Sequence, residues 1–486
     1  MNAWLIAVYG LLGLAVFEPM LGVVICGALI ALQVALLVLR PATAGIPARA
    51  FADPTDQPVP KFSIHVAIHS EPSGLVIHTL KSLLNQNWPA DRYEIIVMDN
   101  NTVDESLWRP VEAFCACYPG RVFFLHRTGV RGAKAGALNI ALEHTDPDVT
   151  HIITVDADYA VRRTFLSIAA NALSRTGADY VQFPQSYSGT ASTARGINAE
   201  LEEYFRTNAL VADHAEAVLL TGTLCVISKG ALIAAGGWSA ATITEDAEMG
   251  VRLCEAGFSG RFVNMVVGQG MLPLSLKDLE KQRYRWCSGN FQTLLKHLAS
   301  VLGPNSSFNL HKRLVVVSQL TAWFNLSLVP CVLLLAWLAN GRDQSVAASM
   351  AAGLILLSFG DVFLRIVGRG LRDGLPIGVM LEALACRIAL TPQSAKATFD
   401  AFCGINRSFV VTDKSGGRGS RERLHLCHLV LFVAVPSALI FTPSANPLIL
   451  AALVALLLPL PAAWVTDKNL CAYRKAMIPS MKGMTA

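Results

Sequence analysis

Six stretches of the chain, residues 3–17, 20–39, 314–338, 345–367, 424–442 and 447–465, are almost continuously apolar. At 1.5 Å per residue, a helix of about twenty such residues matches the hydrocarbon thickness of a bilayer. The pattern therefore predicts about six membrane spans, two before a long central segment and four after it. The first two read as helices joined by a tight turn at Glu18-Pro19. No basic segment precedes them and no small-residue cleavage site follows, which argues against a signal peptide. Asp361 and Arg365, one turn apart in the fourth span, are expected to pair.

Basic residues cluster after alternate spans: Arg40, Arg49 and Lys61 after the second, Arg365, Arg369 and Arg372 at the end of the fourth, Lys468, Arg474 and Lys475 after the sixth. The loops 340–344 and 443–446 are short and nearly uncharged. The positive-inside rule then puts both termini and the central segment on the cytoplasmic side of the cell's inner membrane.

Between the spans the period changes. Short β-branched runs at 62–68, 94–98, 121–125, 151–155 and 180–183 alternate with helical patterns, the signature of an α/β domain with a largely parallel sheet. The expected divisions are 1–40 (two helices), 61–273 (catalytic domain), 274–310 (interfacial helices), 314–367 (two spans), 368–423 (an interfacial helix and a loop), 424–465 (two spans) and the short tail 466–486.

Composition agrees with a membrane protein: 53% of residues are hydrophobic and 15% charged. A net charge of +5 spread along 486 residues excludes a nucleic-acid footprint. The 11 cysteines show no disulfide spacing, and Cys115 and Cys117 lack the second pair a zinc site needs, so free thiols are expected.

In parallel sheets ligands gather at the carboxyl ends of strands. There the chain places Glu71, Asp99, Asp156 and Asp158 in turn. A single such residue is an ordinary helix cap, but the repetition along one rim points to a site. Alternation in Asp156-Ala157-Asp158 would point both carboxylates the same way, toward a hard divalent cation. Lys134-Ala135-Gly136 opens a helix whose amides can approach phosphate. Thr244-Glu245-Asp246 opens another. Gln282, Arg285 and Trp286 share one helical face, where a diphosphate clamp can stand beside a sugar-stacking ring.

Taken in this order, the residues resemble glycosyltransferase family 2, in particular its processive membrane synthases of cellulose, curdlan, chitin and hyaluronan, over residues 62–414. The resemblance implies an α/β GT-A type nucleotide-sugar-binding domain inserted between transmembrane α-helices. It implies that Glu71, Asp99, Lys134, Asp156, Gln282, Arg283 and Arg285 bind the nucleotide sugar, and that Asp156 and Asp158 hold Mg2+ or Mn2+. Asp246 becomes the catalytic base, with Glu245 and Trp286 on the acceptor side. Phe409-Val410-Val411-Thr412-Asp413-Lys414 resembles the F-x-V-T-x-K gating loop, which adds Thr412 and Lys414 to the donor site.

The implied activity is an inverting, processive synthesis of polysaccharide from UDP-glucose, with UDP-N-acetylglucosamine or GDP-mannose as alternative donors and a lipid-linked single transfer as the alternative reaction. The growing chain, the lipid bilayer and export proteins are the implied partners. The tail 466–486 is too short for a fused cyclic-dinucleotide sensor. Two departures bear on the product: Asn100-Asn101 follow Asp99, and Thr221-Gly222-Thr223-Leu224-Cys225 only loosely resembles Phe-Phe-Cys-Gly-Ser.

Overall fold

A computed structural model describes residues 3–43, 59–190, 193–405, 426–441 and 446–484. The expected gating loop, with Thr412 and Lys414, lies outside the described residues. Nine strands form: β1 Phe62–Ile68, β2 Tyr93–Asn100, β3 Val122–Arg127, β4 His151–Thr154, β5 Ala160–Val161, β6 Tyr180–Gln182, β7 Cys225–Ser228, β8 Gly260–Phe262 and β9 Gly268–Gln269. Seven of them make one sheet in the order β3-β2-β1-β4-β7-β6-β8, while β5 and β9 pair separately.

The sheet is mixed. β3, β2, β1 and β4 run parallel, but β7 is antiparallel to both of its neighbours, β4 and β6. β1 and β2 are buried on both faces, which is why they read as apolar runs without alternation. Ile152 and Ile153 fall into different hydrophobic clusters, as the two-residue period of a strand requires.

Among the described residues three helices, Pro19–Leu39, Val346–Arg372 and Pro447–Met477, are long and apolar enough to cross a membrane. The shorter apolar helices Ala3–Phe17, Leu328–Ala339 and His428–Ile440 pack with them around one core containing Ala15, Cys26, Trp337, Ala351, Val435 and Ile449. The expected span 314–338 is not a single helix. It divides into Leu310–Leu320 and Leu328–Ala339. The first half serves the sheet domain: Gln319 accepts from the Leu219 amide at 2.8 Å and donates to the Ala217 carbonyl at 2.9 Å.

Arg365 reaches beyond its own helix, placing its guanidinium on Glu203 at 2.7 Å. This contact belongs to a buried lattice of two glutamates and three arginines. Arg283 grips Glu200 through two bonds of 2.8 and 2.7 Å. Arg387 reaches Glu200 and, at 3.1 Å, Glu203. The lattice ties the helices Arg195–Tyr204, Leu276–Lys296, Val346–Arg372 and Ile377–Phe402 together. Stranding one of these buried charges would cost on the order of 3–5 kcal/mol. The described cysteines are all free thiols.

The end of the Leu276–Lys296 helix is fastened to the Glu245–Glu255 helix by His297. Its Nδ1 faces Glu255 at 2.8 Å and its Nε2 faces Glu248 at 3.3 Å, so only the imidazolium can donate at both nitrogens. Burial opposes that charge, yet the two carboxylates win and hold His297 up to about 9. A folded-state value raised above the ordinary 6.5 contributes stability that is complete below 6.5 and is lost as pH rises through about 9. His297→Gln is therefore expected to lower the melting temperature clearly at pH 6 to 7 and very little at pH 10. Thermal unfolding in detergent at several pH values reads this, and parallel curves for the two proteins would refute it.

Candidate active site

The rim where β1, β2 and β4 end opens into a cavity of about 400 Å3. Glu71, Lys134, Asp156, Asp158, Glu245, Asp246, Gln282, Arg285 and Trp286 all line it. Residues separated by as much as 215 positions in the chain thus share one concave surface.

Asp156 and Asp158 reach the wall through a turn, not through the strand alternation expected of them. β4 ends at Thr154, and the Tyr159 amide turns back onto the Asp156 carbonyl at 3.1 Å. The Asp156 amide donates to Thr223 Oγ1 at 3.0 Å, and Asp158 accepts from the Met271 amide at 3.2 Å. Lys134 stands at the start of the Ala133–Glu143 helix, after Gly132 at φ 85°. Its Nζ donates to Asp156 at 2.5 Å and to the Gly222 carbonyl at 2.8 Å, and lies 3.9 Å from Glu245. Burial disfavours this ammonium, but the surrounding carboxylates hold its pKa well above the ordinary lysine value.

Asp246 lies in the first turn of its helix and accepts from the Ala247 amide at 2.8 Å. Burial, reinforced by the adjacent Glu245 charge, pushes it up to about 7 against the opposing pull of Lys134 and Arg285. A carboxylate poised there can take a proton at neutral pH. Opposite it, Gln282, Arg285 and Trp286 come from one face of the Leu276–Lys296 helix. Tyr187 donates to Gln282 at 3.4 Å, and Trp286 lies 5.4 Å from the Trp323 ring.

Two expected residues do not reach the cavity wall. Arg283 follows Gln282 by one position, about 100° around the helix, and so turns away into the ion lattice with Glu200. Asp99 is buried beneath the rim, where Thr102 donates to it at 2.6 Å and His126 Nδ1 lies 2.5 Å away. Asn100 and Asn101 take its place on the wall. Asn101 adopts φ 60° and clamps Val130 through its side-chain amide at 2.9 and 3.0 Å. An Asn-Asn pair after a strand was a signal for this, since asparagine tolerates the left-handed region.

Sequence reasoning also missed His69, Tyr159, Tyr187 and Met271, and gave Thr221 and Gly222 no role in this cavity. β7 runs antiparallel to β4 with Cys225 opposite Thr154, so residues just before β7 arrive at the same rim. Gly222, at φ 82°, lies so close to Asp246 that an added Cβ would stand 2.8 Å from Oδ2.

Among the described residues no cluster of three or more His, Cys, Asp or Glu side chains is placed to hold a metal. Asp156 and Asp158 nevertheless present hard oxygen donors to the cavity, suited to a divalent cation that completes its shell with phosphate and water. The lining sets five carboxylates against the two cations Lys134 and Arg285, so the donor set and its charge balance fit such an ion.

Comparison with known proteins agrees with this geometry. Residues 63–235 match the glycosyl transferase family 2 model, and residues 151–360 match the model of glycosyl transferase family group 2. A cellulose synthase 1 catalytic subunit (UDP-forming) of Komagataeibacter xylinus is 27% identical over 306 residues, covering 61% of this chain and 39% of that protein. The chain therefore spans about two fifths of that relative's length. A beta-monoglucosyldiacylglycerol synthase of Synechocystis is 28% identical over 253 residues, covering 50% of this chain and 51% of that protein. In fold, the chain is similar to a mannosyltransferase from Pyrobaculum calidifontis solved with GDP-Man and Mn2+, at a TM-score of 0.51 and 17% identity, over 77% of this chain and 98% of that one. The two overlapping matches cover the domain that builds the acidic cavity and run on into the helix carrying Gln282, Arg285 and Trp286, and on these grounds residues 63–360 are a glycosyltransferase family 2 domain.

Proposed function

We propose that the protein is an inverting, processive polysaccharide synthase of the inner membrane that extends a β-glucan with glucose from UDP-glucose. The observation that carries this reading is the juxtaposition, in one cavity, of the Asp246 carboxylate, the Asp156–Asp158 pair and the Gln282, Arg285 and Trp286 face. The similarity to UDP-forming cellulose synthases supports the donor. Six spans with a cytoplasmic catalytic domain, four of them after the catalytic domain, would give a growing chain a route across the bilayer.

In this mechanism Asp246 accepts the proton of the acceptor hydroxyl as its oxygen bonds to the anomeric carbon. The bond from that carbon to the diphosphate oxygen breaks, and the nucleoside diphosphate leaves with its electron pair. Attack opposite the leaving group inverts the configuration. Lys134, Arg285 and Gln282 line the cavity where the diphosphate would depart, and a fixed charge or amide donor in a site shielded from water is worth about 3 kcal/mol per group. Asp156 and Asp158 would hold Mg2+ or Mn2+, which supplies Lewis-acid neutralisation of phosphate charge. Trp286 offers a flat apolar face to the acceptor sugar, beside Glu245. Glu71 lies on the nucleotide side with Asn100 and Asn101. Thr412 and Lys414 are proposed to meet the phosphates from the gating loop.

The similarity to a glycolipid synthase favours a second reading, single transfer of glucose to a lipid. Incubating membranes with labelled UDP-glucose and sizing the product separates the two: a long glucan supports the first, a glucolipid the second. UDP-N-acetylglucosamine and GDP-mannose in the same assay test the donor.

Asp246→Asn is expected to abolish transfer and leave nucleotide-sugar affinity within about threefold, because the amide keeps the shape and loses the base. In the wild type, kcat/KM should fall about tenfold per unit as pH drops below about 7, where Asp246 protonates. Turnover by the Asn variant, or a flat profile from pH 5 to 8, would remove Asp246 from this role.

Removing divalent cations with a chelator should abolish synthesis and weaken nucleotide binding in calorimetry, and Asp158→Ala should do the same at saturating Mn2+. Undiminished activity in excess chelator contradicts the metal assignment.

Gly222→Ala should cut activity by about two orders of magnitude, since both its φ of 82° and the 2.8 Å approach to Asp246 displace the base. A variant of near-normal rate would show that this approach does not set the position of Asp246.

A further inference from the structure

The ion lattice described above does more than join helices, because an aromatic ring lies inside it. Trp323 sits in the break between the helices Leu310–Leu320 and Leu328–Ala339. The Arg283 guanidinium lies 4.0 Å from its ring centroid and that of Arg387 lies 4.9 Å away. Tyr204 stacks on it at 5.3 Å and 22°, and Arg365 donates to the neighbouring Ala322 carbonyl at 2.8 Å. A guanidinium gripped by a carboxylate through two parallel bonds has a fixed plane, so the ring it covers is fixed as well. Trp323 in turn faces Trp286, and both indoles line a small cavity that continues from the main one past Asp246.

We propose that Glu200 and Glu203 are positioning residues for the acceptor side of the transfer, acting through Arg283 and Arg387 to hold Trp323 against Trp286 beside Asp246. This rests on the reading that the Trp286 side receives the acceptor. A lattice that only held helices together would have no reason to enclose an indole that lines the smaller cavity beside Asp246. Two of its guanidiniums, those of Arg283 and Arg387, lie over the Trp323 ring, so the lattice grips the indole by cation–π attraction as well as by packing.

The test uses the full chain in nanodiscs and three variants: Arg283→Lys, which keeps the charge but loses the two-pronged grip, Trp323→Leu, which leaves every charge in place, and the two combined. Nucleotide-sugar affinity, hydrolysis of the donor by water, KM for the acceptor and melting temperature are measured for each. Each single change is expected to raise acceptor KM about fivefold, the size of one cation–π contact. Donor affinity and donor hydrolysis should stay within about twofold, and the double variant should be no worse than the poorer single one, because both act through one ring. Unchanged acceptor KM in folded variants, a parallel loss of donor affinity, or multiplying effects in the double variant would overturn the proposal. Should Arg283→Lys fail to fold, Trp323→Leu alone decides, through its split between acceptor and donor. Running the wild type on both an oligosaccharide and a diacylglycerol identifies the acceptor beforehand. Transfer to the lipid alone defeats the polysaccharide reading, and the same split measured with that lipid still decides the role of the lattice.

Discussion

Lys134 is the charge around which the cavity is organised. Burying an ammonium is unfavourable, and burying carboxylates within a few ångströms of one another is more so. The structure combines the two costs so that they offset: one Nζ binds Asp156, stands 3.9 Å from Glu245 and pulls the Asp246 carboxyl toward its charged form. The offset is incomplete. Asp246 is still pushed up to about 7, the range that the proposed role of base at neutral pH requires. A fully neutralised cluster would hold an inert carboxylate.

The same excess of negative charge has a consequence for ligand binding. A diphosphate approaching five carboxylates and two cations would be repelled unless positive charge arrived with it. A divalent cation on Asp156 and Asp158 would answer both requirements, since the acidity of the cavity would attract it and its charge would attract the diphosphate. The acidity of the site and the proposed metal dependence are therefore one argument.

Much of this was legible in the residues, and what was not failed for identifiable physical reasons. β1, β2, β4 and β6 appeared in their expected places because their apolar runs are mostly buried, and β1, β2 and β4 end close to the acidic residues that marked the rim; β3 appeared as well, at the half-exposed edge of the sheet. β7 stayed hidden because it is short and antiparallel, and with it the contribution of Thr221 and Gly222, which arrive at the rim from the amino end of a strand. Arg283 was misplaced because a motif read as a string treats neighbours alike, whereas a helix turns each by about 100°. The span 314–338 was read as one helix because composition cannot tell an apolar helix that packs on a sheet domain from one that faces lipid; Gln319, buried and bonded to both Leu219 and Ala217, was the signal.

That turn of the helix gives the Gln282-to-Trp286 sequence its mechanical sense. Gln282, Arg285 and Trp286 face the reaction cavity, and Arg283, on the same two turns, is locked into ion pairs with the helix Arg195–Tyr204. A helix held only by apolar packing can slide or rotate by a fraction of an ångström at little cost. One held by a two-pronged Arg–Glu grip cannot, since both bonds lengthen together. Arg283 adjoins Gln282 in sequence, so play in the anchor would become displacement of the side chains that line the cavity with almost no attenuation. At reacting distances near 3 Å such displacement costs rate steeply. A buried charge lattice is an expensive way to obtain stability, since apolar residues often do as well. Its directionality is what apolar packing lacks, and here that directionality is applied one residue away from the chemistry.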